Sequence, residues 1–271
     1  MRDTWLDVQA GVMARDPVVD GRDLVKELFP RARWAVLAGS VTNGLRTAGS
    51  DLDIVVVLPD GDLQAPHRHS RSYRDWPVEL FVHDGVTLAH YLAKDLPGRR
   101  PVMHRMVATG LMLAGTRDEH ARRTRSQCAR VLAAGPAPLT DAELASARYG
   151  LTDTLDDLTH ALDAGERTAI AAAAWIRSAE VALAVARHWT GSGKWLLREL
   201  RDMDSRLAAR WVAAAGDPLA TAAFLRDVLD RTGGPLFAGY HVGGERPTPA
   251  LTHIPANELV RADAVPYQPG T

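Results

Sequence analysis

The segment over residues 34–58 limits the possible folds of this chain more than any other. It begins with the apolar run Trp34–Ala38, which ends in Gly39-Ser40. Nine residues later come Ser50-Asp51-Leu52-Asp53 and the β-branched run Ile54–Leu58. A short apolar run that ends in Gly-Ser predicts a buried strand leaving into a turn, and a β-branched run predicts a central strand. The missing Cβ of Gly39 lets the backbone approach a ligand closely. Ser40 is predicted to open a short helix, whose free N–H groups suit a phosphate group. The chain is therefore predicted to fold as strand, anion-binding turn and returning strand.

Two acidic residues begin the returning strand. Because alternate residues of a strand share a face, the carboxylates of Asp51 and Asp53 are predicted to point the same way while Leu52 enters the core. Converging carboxylates repel unless a cation lies between them, and Mg²⁺ takes one or two carboxylates together with phosphate oxygens. Glu79, in the predicted strand Val78–Val82, is an acid that is costly to bury without a partner. If its strand pairs beside the Asp51–Asp53 strand, the three acids form one cluster that can hold two Mg²⁺ ions about 3.5–4 Å apart.

The chain is predicted to divide into a strand-containing first part and a helical second part. A break at Gly135-Pro-Ala-Pro138 predicts a domain boundary. The first domain would span residues 1–135, and an all-helical second domain would span residues 136–271 and end in a Pro- and Gly-rich tail from Gly233. The fold class is thus α+β, a small mixed sheet flanked by helices and followed by a helical bundle. His67–Tyr73 is ambiguous, and an edge strand is one interpretation of it. Apolar spacing predicts a strand at 111–113 and helices at 19–29, 86–93, 102–109, 116–133, 140–163, 166–189, 194–214 and 217–231.

Composition narrows the function classes. Lys and Arg number 32 against 33 Asp and Glu, a net charge of -1, which argues against a protein whose main role is to coat nucleic acid. The single cysteine, Cys128, excludes an intramolecular disulfide and a cysteine-rich zinc site. The first ten residues lack the apolar core of a signal peptide, and the apolar stretch Ala169–Trp189 is interrupted by charged residues. We therefore expect a cytoplasmic protein without a nucleic-acid or membrane partner.

The pattern Gly39-Ser40, nine residues, Ser50-Asp51-Leu52-Asp53 and a following third acid resembles the polymerase-β-like nucleotidyltransferase superfamily. With a helical second part, the chain is similar to antibiotic nucleotidyltransferases that modify aminoglycosides or lincosamides. The motif covers residues 33–83, and the rest of the chain matches only in general architecture. The resemblance implies a Mg²⁺-dependent enzyme, with two ions expected, that binds a nucleoside triphosphate, with ATP expected.

The resemblance also implies roles for the motif residues. Asp51 and Asp53 would be metal ligands, and Glu79 either a third ligand or the base that takes the acceptor proton. The commonest family pattern has Asp where this chain has Glu79, so the division between those two roles stays open. The residues implied in holding the triphosphate are Gly39 and Ser40, with Ser50 assisting.

Several other residues leave alternatives open. Lys194 follows Gly191-Ser-Gly193 at a predicted helix start, where a cation opposes the helix dipole. It is either a solvated side chain or, as in similar proteins, a contact to the triphosphate.

Acids of the predicted helical domain either hold a cationic acceptor, act as the base, or lie on the surface: Asp153, Asp156, Asp157 and Glu180. The basic stretch from Arg68 to Arg74 either steers a nucleotide or is a solvated edge strand. Core packing is favoured over a stacking platform for Trp175, Trp189, Trp195 and Trp211.

The resemblance thus predicts transfer of a nucleoside monophosphate, with AMP expected, to a hydroxyl of a small molecule, releasing pyrophosphate. An antibiotic acceptor, bound between the two domains, would make antibiotic resistance the biological role. Two alternatives remain open. One is a protein-modifying, antitoxin-like enzyme that attaches AMP to a partner. The other is a nucleotide-binding protein that has lost activity.

Overall fold

The computed structural model describes residues 15–44 and 46–244. The first ten residues and the part of the predicted tail beyond residue 244 lie outside the described residues. In chain order the elements are α1 (Pro17–Leu28), β1 (Trp34–Ala38), a 3₁₀ turn (Ser40–Thr42), β2 (Leu52–Val57), β3 (His67–Tyr73), β4 (Trp76–His83), α2 (Gly85–Asp95), α3 (Val102–Thr109), β5 (Leu111–Ala114), α4 (Glu119–Ala134), α5 (Asp141–His160), α6 (Ala164–Val185), α7 (Lys194–Met203), α8 (Ser205–Ala213) and α9 (Pro218–Arg231).

The five strands form one mixed sheet in the order β3-β4-β2-β1-β5. Strands β2 and β4 run parallel, and every other neighbouring pair is antiparallel. The ambiguous segment His67–Tyr73 is a strand, and it lies at the edge of the sheet with mostly exposed side chains. The sheet flanked by helices, followed by helices alone, confirms the predicted α+β class.

Strand β2 separates two apolar layers because its side chains alternate between the faces of the sheet. Leu52 and Ile54 pack on one face, where α1 covers the sheet. Val55 packs on the opposite face against side chains of α2, α3 and α4, among them the buried Cys128. Asp53 lies between Leu52 and Ile54 in sequence, so it shares the second face. The alternation therefore directs its carboxylate toward α3.

The helical part has a core of its own, built from α5 to α9 between Ala147 and Leu229. Helix α5 begins at the predicted capping box, in which Thr140 and Glu143 bond to each other's backbone N–H groups. Within the described residues, α6 is the one helix that by length and composition could cross a membrane. In the structure α6 supplies Ala174 and Leu183 to this core.

The single helix predicted over 194–214 is wrong, because the chain breaks at Asp204. This residue has extended backbone angles, φ -156° and ψ 102°, and separates α7 from α8. Its carboxylate accepts hydrogen bonds from the N–H groups of Arg206 at 2.9 Å and Leu207 at 3.0 Å. A side chain that satisfies the first N–H groups of a helix favours a new start, and this cap competes with continuous helix.

Direct contacts join the sheet-bearing part to the helical part. The indole N–H of Trp189 donates to the carbonyl of Leu132 at 2.9 Å, and the backbone N–H of Thr190 donates to the carbonyl of Arg99 at 2.8 Å. Two ion pairs also cross between the parts, Arg100 with Glu180 and Arg105 with Glu199. The predicted division after residue 135 falls between α4 and α5, and that assignment of domains stays a prediction.

Candidate functional site

A cleft lies where β1, β2 and β4 meet α3 and the segment between α6 and α7. It encloses about 360 Å³, and side chains from both parts of the chain line it. The sheet contributes the predicted site residues Asp53 and Glu79, and the helical part contributes Thr190 to Ser192, Trp195 and Glu199. The cleft therefore joins the acidic strands to the beginning of α7.

The pairing of β2 with β4 places two of the predicted acids side by side. The strands run parallel with Asp53 opposite Glu79, so the two side chains leave the same face of the sheet. The conditional prediction that the strand of Glu79 pairs beside that of Asp53 is confirmed. Phe81 follows on the same face of β4 and also lines the cleft.

Gly39 is required at the end of β1 for a reason the sequence did not show. Its φ of 82° lies in the left-handed region, and a Cβ built there would stand 2.4 Å from the Oδ2 atom of Asp53. Sequence reasoning attributed the missing Cβ to the approach of a ligand. In the structure its absence makes room for the carboxylate of Asp53, which lies across the strand pair from Ala38.

The electrostatics of the cleft centre on Asp53. Burial, together with the negative charges of Asp51 and Glu79, raises the pKa of its carboxyl from 3.8 to about 6, against the opposing effect of Lys194 and Arg68. A carboxylate whose charge is disfavoured by burial and by two neighbouring acids is stabilised by a bound cation. Asp51, the loop residue that directly precedes β2, contributes to the rise in pKa although it lies outside the strand.

The third acid has a cationic partner. The Nη2 atom of Arg68, on β3, lies 2.5 Å from Oε2 of Glu79. In the described ranges, 15–44 and 46–244, no group of three or more His, Cys, Asp or Glu side chains is close enough together to hold a metal ion. The charges of Asp51 and Glu79 both act on Asp53, while the carboxylate of Glu79 is paired with Arg68, and the roles of the three acids in metal binding stay a prediction.

The remaining donor set still fits Mg²⁺. This ion keeps several waters and is held by one or two carboxylates together with substrate phosphates, so it does not require a cage of three acids. The carboxylates of Asp51 and Asp53 repel each other, and the raised pKa of Asp53 shows that the charge there is unsatisfied. The pair therefore suits one hard cation that brings its other ligands with it.

Ser40 and Ser50 lie behind the cleft rather than on its lining. Their hydroxyls are 2.7 Å apart, and both residues are buried. The Oγ atom of Ser50 also accepts a hydrogen bond from the backbone N–H of Thr47 at 2.9 Å. These bonds tie the beginning of the loop after β1 to its end. In the structure the two serines hold the loop on which Gly39 and Asp51 are placed.

Lys194 reaches the neighbourhood of Asp53 from the helical part. It is the exposed first residue of α7, after Gly193, whose φ is 52°. Its positive charge acts to lower the pKa of Asp53. Lys194 is thus unfavourably placed for the dipole of its own helix, but its charge is near the carboxylate of Asp53.

Sequence reasoning missed an ion pair in the cleft wall. Arg105 of α3 and Glu199 of α7 approach to 2.6 Å, and Glu199 is almost fully buried. Burial raises the pKa of Glu199, although Arg105 opposes the rise. One sequence signal was available, since Glu199 shares the apolar face of α7 with Leu196 and Leu200, where an acid needs a partner.

Some of the remaining candidate residues lie in the cleft and others lie away from it. The indoles of Trp175 and Trp211 stack on each other at 3.9 Å within the helical part, whereas Trp195 lines the cleft. Arg68 lies in the cleft, but Arg74 pairs with Asp20 and Asp23 beside α1. Among the acids of the helical part, Glu180 pairs with Arg100. Three acids of α5 are exposed and are absent from the cleft lining: Asp153, Asp156 and Asp157.

Comparison with known proteins identifies the sheet-bearing part. Residues 21–88 match the family model of the nucleotidyltransferase domain, a segment that runs from α1 into α2 and contains Gly39, Asp51, Asp53 and Glu79. No curated protein matches the chain. Among solved structures, the chain is similar to a nucleotidyltransferase-like protein from Exiguobacterium sibiricum 255-15, with 12% identity over 79% of this chain and 74% of that one and a TM-score of 0.42. Residues 21–88 thus match a nucleotidyltransferase domain, and this stretch contains the motif on which the sequence resemblance depends.

Proposed function

We propose that this nucleotidyltransferase moves AMP from ATP to a hydroxyl of a small molecule and releases pyrophosphate, in a Mg²⁺-dependent reaction in the cytoplasm. The observation that carries the proposal is the adjacent pair Asp53 and Glu79 in a cleft between the sheet and α7. Of the two acids, Asp53 has an unsatisfied charge and Glu79 is held by Arg68. A cleft of about 360 Å³ is of the size that holds a small molecule, which favours a small acceptor.

Asp51 and Asp53 are the residues proposed to hold Mg²⁺. When bound, the ion supplies neutralisation of the charge that develops at the phosphate under attack. Lys194 comes from α7 and Arg68 from β3, and the positive charge of each acts to lower the pKa of Asp53. We assign them to the anionic triphosphate. Ser40 and Ser50 act indirectly, since their mutual hydrogen bond fixes the loop after β1.

Glu79 is proposed as the base. The acceptor oxygen forms a bond to the α-phosphorus, the bond from that phosphorus to the pyrophosphate oxygen breaks, and the hydroxyl proton passes to the carboxylate of Glu79. Both acids are paired with an arginine, Glu79 with Arg68 and Glu199 with Arg105, but Glu79 is the direct neighbour of Asp53 across the strand pair and therefore suits this role better. Replacing a general base typically lowers the rate by about 10²–10⁴-fold.

The test is a transfer assay read by mass spectrometry. Purified protein is incubated with Mg²⁺, the four nucleoside triphosphates and a panel of hydroxylated small molecules that includes antibiotics. We expect a nucleoside-monophosphate adduct on one compound, loss of the adduct in Asp53→Asn, and retention in Asp153→Asn, a matched change on the exposed face of α5. An adduct formed equally well by Asp53→Asn contradicts the site, and an adduct on a co-purified protein contradicts the small-molecule acceptor.

A further inference from the structure

A second cavity adjoins the cleft. It encloses about 610 Å³ between α3, the end of α4, the end of α6 and α7. We call it the basic pocket, because its lining includes Arg105, Arg187, His188 and Arg198 against two acids, Glu199 and Asp202. We propose that the acceptor carries an anionic group, a carboxylate or a phosphate, that lies in the basic pocket while its hydroxyl reaches the cleft. This inference rests on the proposed function.

The basic pocket and the cleft share part of their wall. Arg105, Thr109, Trp195 and Glu199 line both cavities. One of these residues, Arg105, is held by Glu199 at 2.6 Å, so the acid in this wall is already neutralised. A molecule that reaches from the cleft into the basic pocket would therefore meet Asp53 and Glu79 first, and then Arg187 and Arg198 against one remaining acid, Asp202.

Arg198 points to the kind of ligand. Within the described residues, its Nη1 atom is buried and has no hydrogen-bond partner. A buried guanidinium N–H without an acceptor is costly, and an oxygen anion supplies the strongest acceptor. The guanidinium of Arg198 also stacks 4.6 Å from the ring centre of Trp195. An anion with an adjoining planar group would thus find a charged donor and an aromatic surface together.

The charges of the cleft argue against a polycationic acceptor such as an aminoglycoside. A polycation needs unpaired acids, and Glu199, the acid that the described helical part contributes to the cleft lining, is paired with Arg105, while Asp202 lines the basic pocket beside its arginines. The three exposed acids of α5 line neither the cleft nor the basic pocket. The acceptor class that the sequence resemblance implies is therefore not the class that these side chains favour.

Three probes that share a scaffold and differ in charge test the inference: 4-hydroxybenzoate, 4-hydroxybenzyl alcohol and 4-hydroxybenzylamine. Binding to the full chain is followed without nucleotide by the indole N–H resonance of Trp195, assigned with Trp195→Phe. We expect the carboxylate to shift this resonance and to bind about tenfold more tightly than the alcohol, as one charge-assisted hydrogen bond provides. Arg198→Gln should abolish that preference, and Arg201→Gln, an exposed change on the same helix, should retain it.

Inorganic phosphate serves as the fourth probe. If phosphate shifts the Trp195 resonance and binds at least as tightly as 4-hydroxybenzoate, the anionic group is assigned as a phosphate. If only the carboxylate probe shifts the resonance, the group is assigned as a carboxylate. Binding of the amine or the alcohol as tight as that of the anions, an unchanged preference in Arg198→Gln, or no shift with any probe at millimolar concentration overturns the inference. Probe binding is measured without nucleotide and does not depend on AMP transfer. The preference for an anion can therefore be absent although AMP transfer is observed, or present although no transfer occurs.

Discussion

At the scale of single residues, Asp53 is placed where folding disfavours its charge. Burial and two neighbouring acids raise its pKa, and Gly39 leaves space for it at the cost of a left-handed backbone conformation. A carboxyl in a structural role would be expected to have a pKa that is lowered by hydrogen bonds, as Asp84 has where it caps α2. The contrast favours a functional origin for the arrangement around Asp53.

Asp53→Asn should therefore make the metal-free protein more stable at neutral pH. Folding raises the pKa of the Asp53 carboxyl from 3.8 to about 6, so the folded state binds this proton more tightly than the unfolded state. The stability that the proton provides is fully present below about pH 4 and is lost as pH rises through 6. Because Asp53 is partly exposed, we expect a gain of about 1–2 kcal/mol above pH 7.

Urea unfolding in the presence of a chelator measures this gain. The difference between Asp53→Asn and the wild type should shrink as pH falls from 7 toward 4, and Asp153→Asn should show no such dependence. A variant that is destabilised at pH 7.5 would mean that the carboxylate of Asp53 has a structural partner.

Gly39→Ala should damage both folding and transfer. An alanine at this position combines the strain of a φ near 82° with a Cβ that overlaps the carboxylate of Asp53. Gly61→Ala is the matched control, because Gly61 has a φ of 79° and its Cβ would have open space. We expect Gly61→Ala to cost about 1 kcal/mol and Gly39→Ala about 1–3 kcal/mol more. Equal losses of unfolding free energy in the two variants would rule out the overlap with Asp53.

At the level of secondary structure, apolar spacing and turn residues predicted the central strands of the sheet. The run Trp34–Ala38 is a strand with the predicted bounds, the segment His67–Tyr73 that the sequence left ambiguous is an edge strand, and Thr140 caps a helix as its capping box indicates. The break at Asp204 was missed because the apolar period continues across it from α7 into α8. Whether an Asp in such a run caps a new helix depends on tertiary packing, which a single sequence does not contain.

The stacked pair Trp175 and Trp211 should stabilise the contact of α6 with α8. Each indole N–H donates to the backbone carbonyl of the other residue at 2.7 Å. Trp211→Phe removes one donor and part of the stack, so we expect a loss of about 1–3 kcal/mol in urea unfolding. The double variant Trp175→Phe/Trp211→Phe should lose less than the sum of the single losses. Val212→Ala, an exposed change on α8, is the control, and an equal loss there would contradict the interpretation.

At the scale of the whole molecule, the cleft exists because two separately packed parts meet. The sequence predicted the acids that the sheet contributes, because strand periodicity fixes which residues share a face. It did not predict Arg105, Glu199 or the lining role of Trp195, since these residues meet Asp53 only when α3 and α7 are brought together. The nearness of Lys194 was indicated only by its conflict with the helix dipole.

Arg105→Gln should weaken the junction of the two parts. Its removal leaves the buried carboxylate of Glu199 without its cation, so the pKa of Glu199 should rise further above its ordinary range. We expect a loss of about 1–3 kcal/mol near pH 7.5 that becomes smaller as pH falls and Glu199 takes up a proton. Arg123→Gln, which removes an exposed partner of Glu119, should change the unfolding free energy by less than about 1 kcal/mol. A loss for Arg105→Gln that does not vary with pH would contradict this account.

Calorimetric titration of the protein with a non-hydrolysable ATP analogue, with and without Mg²⁺, tests whether the cleft around Asp53 is a metal-dependent nucleotide site. We expect Mg²⁺ to strengthen binding to the wild type and to Asp153→Asn, and to have no such effect on Asp53→Asn. Binding that is the same with and without Mg²⁺, or a Mg²⁺ effect that survives in Asp53→Asn, would contradict this role of the cleft.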